Sequence, residues 1–114
     1  MRRLSIQSTV VEQYGSVGVG IAGFASADRP VETFRVHIAT YEAGSLLGRH
    51  PAGLWQLLGI VSGAGWAEGA DGERVDLGRG DAVLWAPGEE HASGSSAGMV
   101  AVIVQSRVPP LPLD

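Results

Sequence analysis

No window of this chain carries a clean apolar stripe at i, i+3, i+4 and i+7 with a polar face opposite, while glycine or proline recurs throughout: seventeen glycines and six prolines in 114 residues. A helix interior is destabilised by about 1 kcal/mol at each glycine and about 3 kcal/mol at each proline. Helix evidence is therefore thin, and the chain reads as strands joined by turns. Strand signals do recur at short intervals. "ETFRVHIATY" alternates, with Phe34, Val36 and Ile38 on one face and Arg35, His37 and Tyr41 on the other. "LWQLLGIVSG" reads as a strand broken at Gly59 and closed at Gly63, and "GDAVLWA" as another. "GWAEGADGERVDL" reads as a hairpin, because Asp71-Gly72 is a favoured two-residue turn pair. "MVAVIVQS" is apolar at almost every position, so both of its faces should be covered. "ASADRP" (Ala25 to Pro30) reads as a loop, and "GSVGVGIAG" (Gly15 to Gly23) as a Gly-rich edge strand or turn rather than a dinucleotide loop. About eight to ten short strands with Gly/Pro turns predict an all-β fold, an antiparallel sandwich or barrel.

The length fits one domain over residues 1–114. A formal charge of −4, with all eight basic residues arginine and scattered, argues against a nucleic-acid partner. The absence of cysteine removes disulfides, thiolate zinc sites and cysteine nucleophiles, and fits a cytoplasmic protein. "MRRLSIQSTV" has no apolar core of a signal peptide, and no stretch is long enough to span a membrane.

Three histidines, His37, His50 and His91, carry what chemistry the chain offers. Counting by two from His50 puts Ala52, Leu54, Gln56, Leu58 and Ile60 on its face, a small polar patch among apolar neighbours. Buried polar groups need partners, so His50 and Gln56 must bond to each other, to water, to a ligand or to a metal. His37 falls opposite Phe34, Val36 and Ile38; if those three fill the core, it points away from it.

"GSLLGRHPAGLWQLLGIVSG" resembles the first cupin motif, with Gly44, His50, Gln56 and Gly63 on its spacing. "GDAVLWAPGEEHASGS" resembles the second, matched by Gly80, Gly88 and His91. The resemblance covers roughly residues 31–106 and leaves 107–114 as a Pro-rich tail. It implies a double-stranded β-helix, the jelly-roll cupin barrel, with the Pro87-Gly88 turn delivering His91 to the barrel mouth. It also implies a divalent transition metal (Zn, Ni, Fe, Cu or Mn) on His50, His91 and Gln56. Four departures weaken that implication: Ala52 replaces the second histidine, Gln56 the glutamate, Ala86 the motif proline, and Ser95 the closing asparagine. Two imidazoles and an amide bring no negative charge to a divalent cation, so any metal would be weakly held.

Glu89 and Glu90 flank His91 and could lend a carboxylate, although glutamates in a turn are commonly solvated. Arg49 could meet an anionic substrate at the mouth or simply lie exposed. Trp55, Trp66 and Trp85 could pack in the core or an interface, or, for Trp55 and Trp85 above all, wall a ligand cavity. Three readings follow from the resemblance: a metal-bearing small-molecule site, which as an enzyme would be an oxygenase, isomerase or lyase; a metal-free binding or sensing barrel; and a ligand-free dimeric scaffold. A homodimer through an apolar sheet face is expected in each.

Overall fold

The computed structural model describes residues 1–27 and 33–110. Eight antiparallel strands make up the molecule: β1 (Thr9–Val10), β2 (Val17–Ala27), β3 (Phe34–Pro51), β4 (Trp55–Glu68), β5 (Arg74–Gly78), β6 (Ala82–Trp85), β7 (Glu90–Ser95) and β8 (Met99–Ser106). No helix occurs among the described residues, which is the all-β jelly-roll architecture expected. The sheet starts ahead of residue 31, because β1 and β2 extend it beyond β3.

The strands are longer than anticipated, and the two longest build the barrel. The first half of β3 (Phe34 to Tyr41) pairs with β8, and its end (Ser45 to Pro51) pairs with β7. Likewise β4 pairs with β8 from Trp55 to Gly63 and with β7 from Trp66 to Glu68. Each strand therefore passes from one sheet to the facing one, turning a corner on the way. The corners fall on Gly44 (φ +74°) and Gly63 (φ +78°), the two outer glycines of the first motif. Only glycine holds that left-handed conformation without strain. At Gly63 a Cβ would also sit 2.2 Å from the Gly98 carbonyl oxygen. So β4 bends at Gly63 and is not closed there, and it runs through Gly59 unbroken.

The β4–β5 hairpin forms, but its loop is longer than two residues: Glu68 pairs with Arg74. The Asp71 carboxylate accepts from the Glu73 amide at 3.0 Å, and Gly72 N–H donates to the Gly69 carbonyl at 3.1 Å. The side chain thus closes a local turn of its own in place of the tight hairpin turn. Ala25, Ser26 and Ala27 belong to β2 rather than to a loop; the remainder of that segment, like Leu111 to Asp114, lies outside the described residues.

Inward positions alternate along the strands. Gln56, Leu58 and Ile60 of β4 and Met99, Ala101 and Ile103 of β8 are buried, with half-buried or exposed neighbours between. On β3 the parity is opposite to the expectation. Ala39 and Tyr41 are buried, whereas Phe34 is 39% exposed. His37 therefore faces inward with them. Tyr41 bonds the Ser93 hydroxyl across the core at 2.8 Å.

Candidate functional site

His50 lies near the end of β3, and its Cα is paired with that of His91 on β7. Directly opposed residues of an antiparallel pair project to the same face. The two imidazoles accordingly meet inside the barrel, ring centroids 4.4 Å apart. The turn after β6 holds this arrangement: Gly88 N–H donates to the Ala52 carbonyl at 2.6 Å, and Ala52 N–H to the Glu89 carbonyl at 3.0 Å. Gln56 reaches the same point from the facing sheet, where β4 pairs it with Gln105 of β8.

The hydrogen bonds settle which nitrogens carry protons. Nδ1 of His50 is 2.6 Å from the Gly48 carbonyl oxygen, and Nδ1 of His91 is 3.1 Å from that of Glu89. A carbonyl only accepts, so each Nδ1 donates and each Nε2 keeps its lone pair. The Gln105 amide donates to Gln56 Oε1 at 2.9 Å, and Gln56 Nε2 donates to His91 Nε2 over a longer 3.4 Å. Burial pushes the His91 imidazole below its ordinary range, and His50 acts in the same direction. The bond to the Glu89 carbonyl opposes them. The hydrogen bonds of the cluster thus run in one direction from Gln105 to His91.

The cluster closes one end of a cavity of about 530 Å³. Leu47, Ile21, Ile103 and Val11 form apolar walls; His37, His50, Gln56 and Gln105 supply polar groups from the strands, and Glu12 and Gln13 line it at the rim. The segment Thr9–Tyr14 lies along its rim, and the Tyr14 ring stacks on His50 at 4.2 Å and 8°.

The other candidates lie elsewhere. Trp55 sits half-buried on the outer face of β4, opposite in parity to Gln56. Trp85 is buried behind His91, 4.4 Å from it ring to ring, and its indole N–H donates to the Glu68 carbonyl. Glu89 accepts the Ala86 amide at 3.1 Å, which ties its carboxylate to the turn; Glu90 is exposed. Trp85 and Glu89 face a separate depression beside Glu68 and Glu73. Arg49 is exposed and donates to the Gly69 and Ala70 carbonyls at 3.2 and 3.0 Å. Trp66 is half-buried beneath the Arg74 guanidinium, 3.5 Å from the ring centre. Ser95, at the position of the motif asparagine, donates to the Ala64 carbonyl and accepts from Gly98 N–H, bracing the β7–β8 turn.

The cavity also holds residues that motif spacing does not reach: Tyr14, His37 and Gln105. Gln105 had a readable signal, since it continues the inward series Met99, Ala101, Ile103 as a polar residue.

A divalent cation, which barrels of this kind can hold, finds a poor donor set here. His50 and His91 present lone pairs, but the Gln56 amino group already faces that of His91, and its oxygen is engaged by Gln105. Ala52, where a third imidazole would stand, packs in the core. Among the described residues no three of His, Cys, Asp and Glu come together as a metal-holding group. With no carboxylate to balance the ion, the residues present do not fit a resident divalent metal.

No family model matches the chain. An (R)-mandelonitrile lyase of Granulicella tundricola is 32% identical over 71 residues, 60% of this chain. The match spans 54% of that protein's length. Among solved structures, a cupin-like protein from Thermotoga maritima superposes with a TM-score of 0.79 at 19% identity, covering 95% of this chain and 83% of the other. The polyketide cyclase RemF from Streptomyces resistomycificus superposes with a TM-score of 0.77 at 16% identity, covering 97% and 82%. With its strands switching sheets at the motif glycines and its two motif histidines paired inside the barrel, the chain has the fold of the cupin superfamily.

Proposed function

We propose that the barrel binds a small, uncharged organic molecule in the cavity beside His50, without a metal. The observation that carries this reading is a cluster of imidazoles and amides at one end of a largely apolar cavity of about 530 Å³. Apolar walls with a few convergent polar groups are the usual form of a small-molecule site. Among the described residues no arginine lines it: Arg49 is turned to the Gly69 and Ala70 carbonyls outside. A hydroxyl or carbonyl compound would find acceptor and donor groups in the imidazoles and amides.

The likeness to a mandelonitrile lyase supports a second reading, in which the ligand is an aromatic α-hydroxynitrile whose C–CN bond breaks as its hydroxyl loses a proton, giving the aldehyde and hydrogen cyanide. Release of benzaldehyde from mandelonitrile, followed by absorbance, tests it. The binding reading itself is tested by thermal shift with 2-hydroxyacetophenone on protein stripped by chelation. A ligand at about 100 times its Kd adds about 2.7 kcal/mol to the native state. Equal stabilisation before and after stripping is expected. Stabilisation that appears only when a divalent ion is restored would overturn the metal-free reading.

The proposal includes a homodimer, supported by large apolar side chains on the outer sheet faces, among them Phe24 (60% exposed) and Val75 (53%). It also includes a reducing compartment such as the cytoplasm, supported by the lack of cysteine. Among the described residues no helix is long and apolar enough to cross a membrane.

A further inference from the structure

His37 is an imidazole on the cavity wall with no role in the cluster just described. It comes from the sheet opposite His50: β8 pairs it with Ile103, whereas His50 pairs with His91 on β7. Its Nδ1 is buried and has no hydrogen-bond partner, the one buried side-chain polar atom left so among the described residues.

The proton position follows from that isolation. A buried N–H without an acceptor is costly, whereas a neutral nitrogen with an unused lone pair forgoes less. In the neutral ring the proton of His37 therefore sits on Nε2, and the partnerless Nδ1 keeps its lone pair. His50 is the reverse, since its Nδ1 proton is held by the Gly48 carbonyl and Nε2 is left as an acceptor.

We infer that His37 and His50 hold opposite tautomers across one cavity, so that His37 donates and His50 accepts. The ligand class that matches both walls carries a hydroxyl, to donate to His50 Nε2, and a carbonyl or nitrile acceptor for His37 Nε2–H. An α-hydroxy ketone or α-hydroxynitrile on an apolar, ring-sized body has that pattern. His37 is then a specificity-determining residue, and this assignment of ligand class rests on the small-molecule reading above.

Two measurements test it. Long-range ¹H–¹⁵N correlation of the imidazoles on ligand-free protein near neutral pH reads the tautomers directly. His37 is expected as Nε2–H, and His50 and His91 as Nδ1–H. Finding His37 as Nδ1–H, or doubly protonated, overturns the inference whatever the protein binds.

Calorimetry then compares 2-hydroxyacetophenone with 2-phenylethanol, which lacks the carbonyl. His37→Phe should weaken the first about five- to ten-fold, the worth of one neutral hydrogen bond, and leave the second unchanged. His37→Gln, which retains an N–H donor, should recover part of the loss. Equal weakening of both ligands, or of neither, overturns the role of His37. If neither compound binds the wild type, the small-molecule reading and the ligand class fall together, while the tautomer measurement still decides the proton arrangement.

Discussion

His91 titrates against its surroundings. Its folded-state pKa lies below the ordinary 6.5, chiefly because burial disfavours the charged ring. As pH falls through that ordinary value the unfolded chain takes up a proton that the folded chain refuses, so stability is full above it and declines below. The melting temperature should therefore fall between about pH 7 and pH 5, and the fall should be smaller in His91→Gln, which cannot charge. An equal fall in both proteins would place the titration elsewhere. A second expectation concerns the missing donors. The double variant Gln56→Glu, Ala52→His should bind Ni or Zn more tightly than wild type by calorimetry, with the gain lost below about pH 6 as imidazoles protonate. Equal affinities would show that these positions do not converge on one ion. The spacing of His50, Gln56 and His91 was legible because each is placed by its own strand end. His37 was misread because period two fixes only parity, and the more apolar face of β3 is its outer one. Phe34, Val36 and Ile38 form its outer side, while small Ala39 and polar His37 face the space a cavity needs.

Among the elements, the rim segment Thr9–Tyr14 depends on a glycine it does not contain. A Cβ on Gly48 would fall 1.5 Å from the Tyr14 carbonyl oxygen, and Gly48 N–H donates to Ser16 Oγ at 3.0 Å. Tyr14 itself holds a left-handed φ of +62°, an arrangement its stack on His50 accompanies. Gly48→Ala should lift the rim and leave the barrel closed, at about 1–3 kcal/mol of stability. Hydrogen exchange checks this: the Val11 amide, bonded to the Val19 carbonyl, should exchange faster, and the Ala101 amide in the central strand should not. Protection of Val11 unchanged from wild type would mean that the rim is held by something else. The strands themselves were largely legible from alternation and turn residues. Their lengths were not, because Gly59 and Gly63 look alike in sequence, yet one continues a strand and the other bends it. That distinction is made by Gly98, thirty-odd residues on, whose carbonyl leaves no room at Gly63.

For the molecule as a whole, the proposed homodimer predicts twice the chain mass by light scattering at micromolar concentration. Val75→Glu or Phe24→Glu should shift that mass toward the monomer if the outer sheet faces are the contact. A monomer mass for the wild type would remove the dimer and leave the cavity untouched. The position of β8 has a different consequence. It follows the other seven strands in sequence, yet it lies between β3 and β4 and pairs with both along most of its length. Until it arrives, the first halves of β3 and β4 have open edges, and unpaired edges recruit other chains. Synthesis proceeds from the amino end, so the barrel has to wait for its middle. Closure is then a late event built on distant partners, which makes it slow. Ribosome-bound chains should remain sensitive to protease until Ser106 has emerged, and the time they spend in that condition is when a chaperone would find them.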